Sequence, residues 1–214
     1  MKSLYVISVL VMCCTCFAVD IPIINASFES PETSTWEGGI MDDWVKFAGS
    51  IARVVRPILG GGYNPAWDLA TAYPGFSNQI GVVQSATLVQ DIVDGSSIPV
   101  TYKEDSIYVF TLYSGGSYEG EGQTFFMKLA TAGGTELAGM TITNHVKTFD
   151  QNELFYVTPS AGSPVGEQIR VQIQSGTWGG SAAFDMASLS EVPEPVSLAF
   201  MAIGSLFLSR KIRA

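Results

Sequence analysis

Short runs in which apolar and polar positions alternate follow one another along the middle of this 214-residue chain. They are rich in Val, Ile, Thr, Tyr and Phe and are broken by clusters of Gly, Pro, Ser, Asn and Asp. A period of two puts successive side chains on opposite faces of a strand, and the Gly/Pro/Asn clusters are where such strands turn. Strands are therefore predicted at 51–56, 78–83, 86–93, 106–113, 123–130, 135–143, 152–157, 168–175 and 182–190. The clearest alternation is Ile169-Arg170-Val171-Gln172-Ile173-Gln174, with Ile169, Val171 and Ile173 on one face. Turns are marked by Gly60-Gly61-Gly62, Asp94-Gly95, Gly115-Gly116, Gly133-Gly134 and Gly179-Gly180. The middle of the chain has no long apolar run of helical period and no internal repeat. About nine short strands at this spacing predict an all-β domain, a two-sheet antiparallel β-sandwich of the jelly-roll kind.

The two ends break the pattern. Lys2 precedes an apolar stretch from Leu4 to Phe17, and Ala18 is a small residue fit for the −1 pocket of signal peptidase, so residues 1–18 read as a signal peptide cut before Val19. The competing reading is a lipoprotein signal using Cys13, Cys14 or Cys16, but the residues before each make a poor lipobox. At the other end Val192-Pro193-Glu194-Pro195 leads into an uncharged apolar run at 196–208 and then Arg210, Lys211 and Arg213. The prolines lack N–H groups and keep the preceding residues extended, a form that a protease can thread. The run is shorter than the roughly 18–20 residues of an ordinary transmembrane helix, and a buried terminal helix is the alternative on length alone. The basic stop and snorkelling Arg and Lys stems favour a short membrane span.

This tail resembles a PEP-CTERM sorting signal. The resemblance implies an exported Gram-negative protein held transiently in the inner membrane, handled by signal peptidase at one end and by an integral-membrane exosortase at the other. Its destination would be the cell surface or extracellular matrix. The chain then divides into a signal peptide at 1–18, a β-sandwich domain at 19–190 and a sorting signal at 191–214.

Composition sharpens once the ends are set aside. All three cysteines lie in the signal, so the exported domain of about 170 residues has neither disulfide nor thiolate and must rest on core burial. Lys2, Arg210, Lys211, Arg213 and Glu194 leave with the ends, which takes the formal charge from −9 to −12. So acidic a surface repels nucleic acid, is compatible with divalent cations and neutral glycans, and is also what solubility outside the cell would need.

A second resemblance runs through the domain. Ile24-Asn25-Ala26-Ser27-Phe28-Glu29 is similar to the opening of galactose-binding-like jelly rolls, and Ala183-Phe184-Asp185-Met186-Ala187-Ser188-Leu189 to their closing strand. Leu88-Val89-Gln90-Asp91-Ile92 with Tyr108-Val109-Phe110 resembles an internal strand pair. Met186-Ala187 departs from the usual closing pattern. The resemblance implies that the first and last strands pair and share a structural calcium at Glu29 and Asp185, hard oxygen ligands of the kind the ion needs. The alternative is two surface carboxylates beside a sheet edge.

Chemistry is thin. His145 is the only histidine, and there is no H-E-x-x-H, G-x-S-x-G, P-loop or dinucleotide fingerprint. Asp42-Asp43 and Glu119-Gly120-Glu121 are the acid pairs that glycoside cleavage would need, and such pairs in polar loops are usually solvated. The chain is accordingly read as no enzyme. Aromatics offer more: Trp178, Tyr118, Tyr113 and Trp36 sit in or near Gly- and Glu-rich loops, where a ring can stack on the apolar face of a sugar. Trp44 and Trp67 read instead as core-sealing residues. The expected function is a cell-surface or matrix protein with a structural or adhesive jelly roll. The alternative is a carbohydrate-binding module for extracellular polysaccharide, and more remotely a glycoside hydrolase.

Overall fold

A computed structural model describes residues 18–28, 30, 41–55, 80–116, 124–143, 149–175 and 182–193. Nine strands form among them: β1 (Val19–Ile21), β2 (Val45–Val55), β3 (Ile80–Asp91), β4 (Ser106–Gly116), β5 (Thr124–Thr131), β6 (Glu136–Thr143), β7 (Asp150–Val157), β8 (Ile169–Ser175) and β9 (Ala182–Pro193). The described residues contain no helix. The predicted signal at 1–18, apart from Ala18, and the apolar run at 196–208 lie outside them. Within them no helix is long and apolar enough to cross a membrane.

All pairings are antiparallel and join the strands into one sheet of order β6-β5-β8-β3-β9-β4-β7, with β1 on β9 and β2 on β3. The sheet is nearly closed, because β6 and β7 at its two edges approach one another. It folds into two facing halves, and β3 belongs to both: Thr87–Asp91 pair with β8, while Gly81–Val83 pair with β9. The crossing is made at Ser85, whose φ is +45°, beside Gly49 of β2, whose φ is +94°. Two left-handed residues side by side let both strands bend together from one half to the other. Sequence reading split this strand into 78–83 and 86–93, because the polar Gln84-Ser85 interrupts its pattern; those residues form the bend in one continuous strand.

The alternation predicted for 169–174 is present, with Ile169, Val171 and Ile173 buried and Arg170, Gln172 and Gln174 half-buried on the other face. Phe125, Met127 and Leu129 of β5 face Tyr108, Phe110 and Leu112 of β4 across one hydrophobic core. Full burial of a side chain of this size contributes about 1.5–3 kcal/mol. In β9 the inward positions shift phase, from Phe184 to Ala187 and Leu189, across Met186 at φ +50° and a register irregularity opposite β4. A polar exception lies at the edge: the nearly buried carboxylate of Glu191 accepts from Lys103 Nζ at 2.6 Å and from Ser106 Oγ at 3.3 Å.

The first and last strands pair as the resemblance implied: Val19 lies opposite Glu191 and Ile21 opposite Leu189. The three-residue β1, with Asp20 in its middle, was not foreseen; so short a run has no period of its own and is held by β9. Strand β9 continues through Pro193, so Val192 and Pro193 of the predicted sorting motif pair with Ile107 and Ser106.

Three tyrosines pack together at this end. Tyr102 and Tyr108 meet edge-on with centroids 4.9 Å apart, Tyr156 packs on Tyr102 at 5.8 Å, and the Tyr102 hydroxyl donates to the Ala130 carbonyl. Burial pushes Tyr102 far above the ordinary tyrosine range, with the Tyr108 charge adding to it, and raises Tyr156. Tyr108 is pushed up to about 12, chiefly by burial, against the lowering effect of the Lys103 N–H that it accepts. A phenol whose folded pKa lies above its unfolded value gives stability that is complete below the unfolded value, about 10, and is lost as pH rises toward the folded one. The denaturation midpoint should hold to about pH 10 and then fall, with these phenols remaining protonated in the folded protein. Phenolate absorbance read beside the unfolding midpoint tests this. Full tyrosinate formation near the ordinary value in the folded domain would refute it.

Candidate functional site

The strands have two common ends. Pro193 of β9, Ser106 of β4 and Val157 of β7 lie at one; Gly116, Ala182 and Asp150 lie at the other. In the facing half, Phe125, Ser175 and Ile142 also lie at that opposite end. Tyr118, Trp178 and Trp36 lie outside the described residues, and so do Glu29, Trp67, His145, Glu119 and Glu121. The strand ends that flank Tyr118 and Trp178 are nonetheless described. Gly116 is the partner of Ala182, and Phe125 is the partner of Ser175. The chain therefore leaves β4 and β8 and returns on β5 and β9 through stems that are mutual neighbours, although about sixty residues separate the two aromatics in sequence.

Tyr113 lies near the same end. It is half-buried, its hydroxyl donates to Gln151 Oε1 at 2.8 Å, and it stands opposite Asp185 of β9. Asp185 is fully buried rather than the surface carboxylate allowed for above, and its Oδ1 accepts the Met186 N–H at 2.7 Å.

A polar face was overlooked in the sequence. On the half formed by β3, β8, β5 and β6, the outward row Thr87, Gln174, Phe126 and Thr141 lies beside the row Val89, Gln172, Lys128 and Gly139. Gln172 Nε2 donates to Gln174 Oε1 at 3.3 Å, Lys128 pairs with Glu136 at 2.8 Å, and Lys128 Nζ stands 5.7 Å from the centre of the Phe126 ring. The signal was the other half of the 169–174 alternation, Arg170, Gln172 and Gln174, which only mattered once its neighbours were known.

The opening motif has a packing role. Asn25, at φ +51°, donates through Nδ2 to the carbonyls of Ser30 at 2.7 Å and Asp42 at 3.2 Å, and accepts the Ser30 N–H through Oδ1 at 3.0 Å. Ser30 Oγ donates to Asp42 Oδ2, so Asp42 is engaged in this loop rather than in a catalytic pair with Asp43. Phe28 is wholly buried against Trp44 at 5.3 Å and against Phe184 of the closing motif at 4.9 Å. Trp44 is a core residue, as expected. Among the described residues no three His, Cys, Asp or Glu side chains converge as metal ligands; Glu29, the other residue of the implied calcium site, lies outside them.

Comparison with known proteins places the fold. No protein-family model matches the chain. No curated protein matches it either. Among solved structures, the Stig cyclase Fisc from Fischerella sp. TAU superposes with a TM-score of 0.66 at 17% identity, covering 83% of this chain and 99% of the cyclase. A cyclase from the same organism gives 0.65 at 18% identity, with 83% and 98% covered. TmCBM61, solved in complex with beta-1,4-galactotriose, gives 0.49 at 15% identity, with 79% and 97% covered. The cyclases overturn the expectation that the chain is no enzyme: proteins named as cyclases are built on this fold over almost their whole length. The lack of a short catalytic motif is no evidence against an enzyme, because reacting groups need not lie close in sequence. The pairings of this sheet join strands that are far apart in the sequence.

Proposed function

We propose that the chain is an exported envelope protein whose domain is a two-layer jelly roll that binds extracellular polysaccharide at the end bearing Tyr118 and Trp178. The pairing of Gly116 with Ala182 and of Phe125 with Ser175 carries this reading, because it roots the two aromatic segments side by side. A ring supplies a flat apolar surface for a sugar face, and the neighbouring Glu119, Glu121 and Thr177 supply acceptors and a hydroxyl for its polar edge. Tyr113 and the polar face around Phe126 and Gln174 extend toward the same end. Binding so placed would equally be the first step of catalysis, so the reading applies to an enzyme as well as to a binding module. The acidity of the domain disfavours nucleic acid as the polymer.

In the same reading, signal peptidase releases the chain before Val19, the residue at which β1 begins. The exosortase acts on the tail while the run at 196–208 sits in the inner membrane. Val192 and Pro193 are held in the β9–β4 ladder, so cleavage at or beyond Glu194 leaves the domain intact. The recognition end then points away from the attachment point. Affinity electrophoresis through gels containing envelope polysaccharide tests the binding. Trp178→Ala and Tyr118→Ala should each weaken retardation about tenfold, the worth of one lost stacking contact. Retardation of the parent by no polysaccharide, or retardation of both variants equal to that of the parent, would overturn it.

A further inference from the structure

Among the described residues, four of the eight exposed large apolar side chains lie toward the end from which β9 leaves, while the two most exposed, Phe47 and Val45, lie on β2. Val157 is 52% exposed and Phe155 57%, side by side on β7 with half-buried Ile107 and Val109 of β4 next to them. Val19, 51% exposed, begins β1 opposite Glu191, and Ile98, 59% exposed, lies in the connection that enters β4 at Ser106, the partner of Pro193. Singly such residues are ordinary; several of them toward one chain exit mark a contact surface. Both apolar segments of the sequence depart from here, the one before Val19 and the one beginning at Val196. Only Glu194 and Pro195 separate Pro193 from the apolar run, a reach of roughly 10 Å even when fully extended.

We propose that this end of the domain is a membrane-docking surface, with Val19, Ile98, Phe155 and Val157 seated in the headgroup region of the bilayer that holds residues 196–208. The inference rests on the reading of that run as a membrane segment. So short a tether brings these side chains to the lipid without further ordering of the chain, and Phe, Ile and Val gain by leaving water at that interface. Asp20, Glu104 and Asp105 are exposed at the same end, beside Lys103, whose charge is paired with Glu191. Their charge disfavours anionic headgroups and fits zwitterionic ones such as phosphatidylethanolamine.

The test uses the full-length chain with Cys13, Cys14 and Cys16 changed to serine and one new cysteine carrying an environment-sensitive fluorophore, placed by Ile98→Cys, Val157→Cys or Thr143→Cys. Thr143 is exposed at the opposite end of the sheet. With phosphatidylethanolamine/phosphatidylcholine vesicles, labels at 98 and 157 should shift to the blue and be quenched by spin-labelled lipid, while the label at 143 stays water-like. Added phosphatidylglycerol should weaken the effect. Flotation with the vesicles but water-like labels at 98 and 157 would overturn the docking surface and leave the membrane segment standing. Absence of flotation would overturn the membrane segment, and the docking surface with it.

Discussion

Gly49→Ala should destabilise the domain by about 3–5 kcal/mol, the combined scale of a strained left-handed residue and an overpacked contact. Gly49 has a φ of +94°, which a residue with a Cβ rarely adopts. A Cβ built there would lie 1.9 Å from the Ser85 carbonyl oxygen and 2.4 Å from the Ala86 Cα. Both obstacles are backbone of the neighbouring strand, so no rotamer change relieves them. The site is also where β2 and β3 cross between the halves of the sheet, so relief by strand separation would open both halves together. Urea denaturation of parent and variant measures the effect. A loss below about 1 kcal/mol, the range of an ordinary surface substitution, would show that the bend does not depend on this glycine.

Phe28→Ala should cost about 3–5 kcal/mol, as expected for removing a fully buried aromatic ring. The ring touches Trp44 on one side and Phe184 on the other, and so ties the opening loop to the closing strand. Its loss is one of packing, and the deficit should be the same in calcium and in EDTA when chemical denaturation is followed in both. A deficit that disappears in EDTA would mean that the motif acts through an ion, and a near-neutral variant would mean that the two ends of the domain are not joined through this ring.

Much of the strand content could be read from alternation, because a half-buried strand repeats every two residues and nothing else in this chain does so. Residues 169–174 show it most clearly. Where the structure departs from that reading, a tertiary constraint overrides the local pattern. Gln84 and Ser85 look like a break and are instead a bend, since the left-handed pair at Ser85 and Gly49 can form only when both strands are present. Val19 to Ile21 carries no periodic signal and exists as a strand because β9 offers it an open edge. That the segments carrying Trp178 and Tyr118 leave from neighbouring strand ends was not legible, because it follows from the register of β4, β5, β8 and β9. The polar face around Gln172 and Phe126 was hidden for the same reason, being assembled from four strands. The fate of Asp42 could not be foreseen either: an acidic pair looks alike in sequence whether it is free for catalysis or bound to a serine hydroxyl.

The interior position of β9 has a mechanical consequence. It is flanked by β4 along one side and by β1 and β3 along the other, and it is the strand that continues into the tail. A force on an anchored tail therefore runs along β9, perpendicular to ladder hydrogen bonds on both sides, and strains them in shear all at once rather than peeling them one by one. Unfolding by tension would have to break both seams together, so a domain tethered in this way should withstand a pull on its far end.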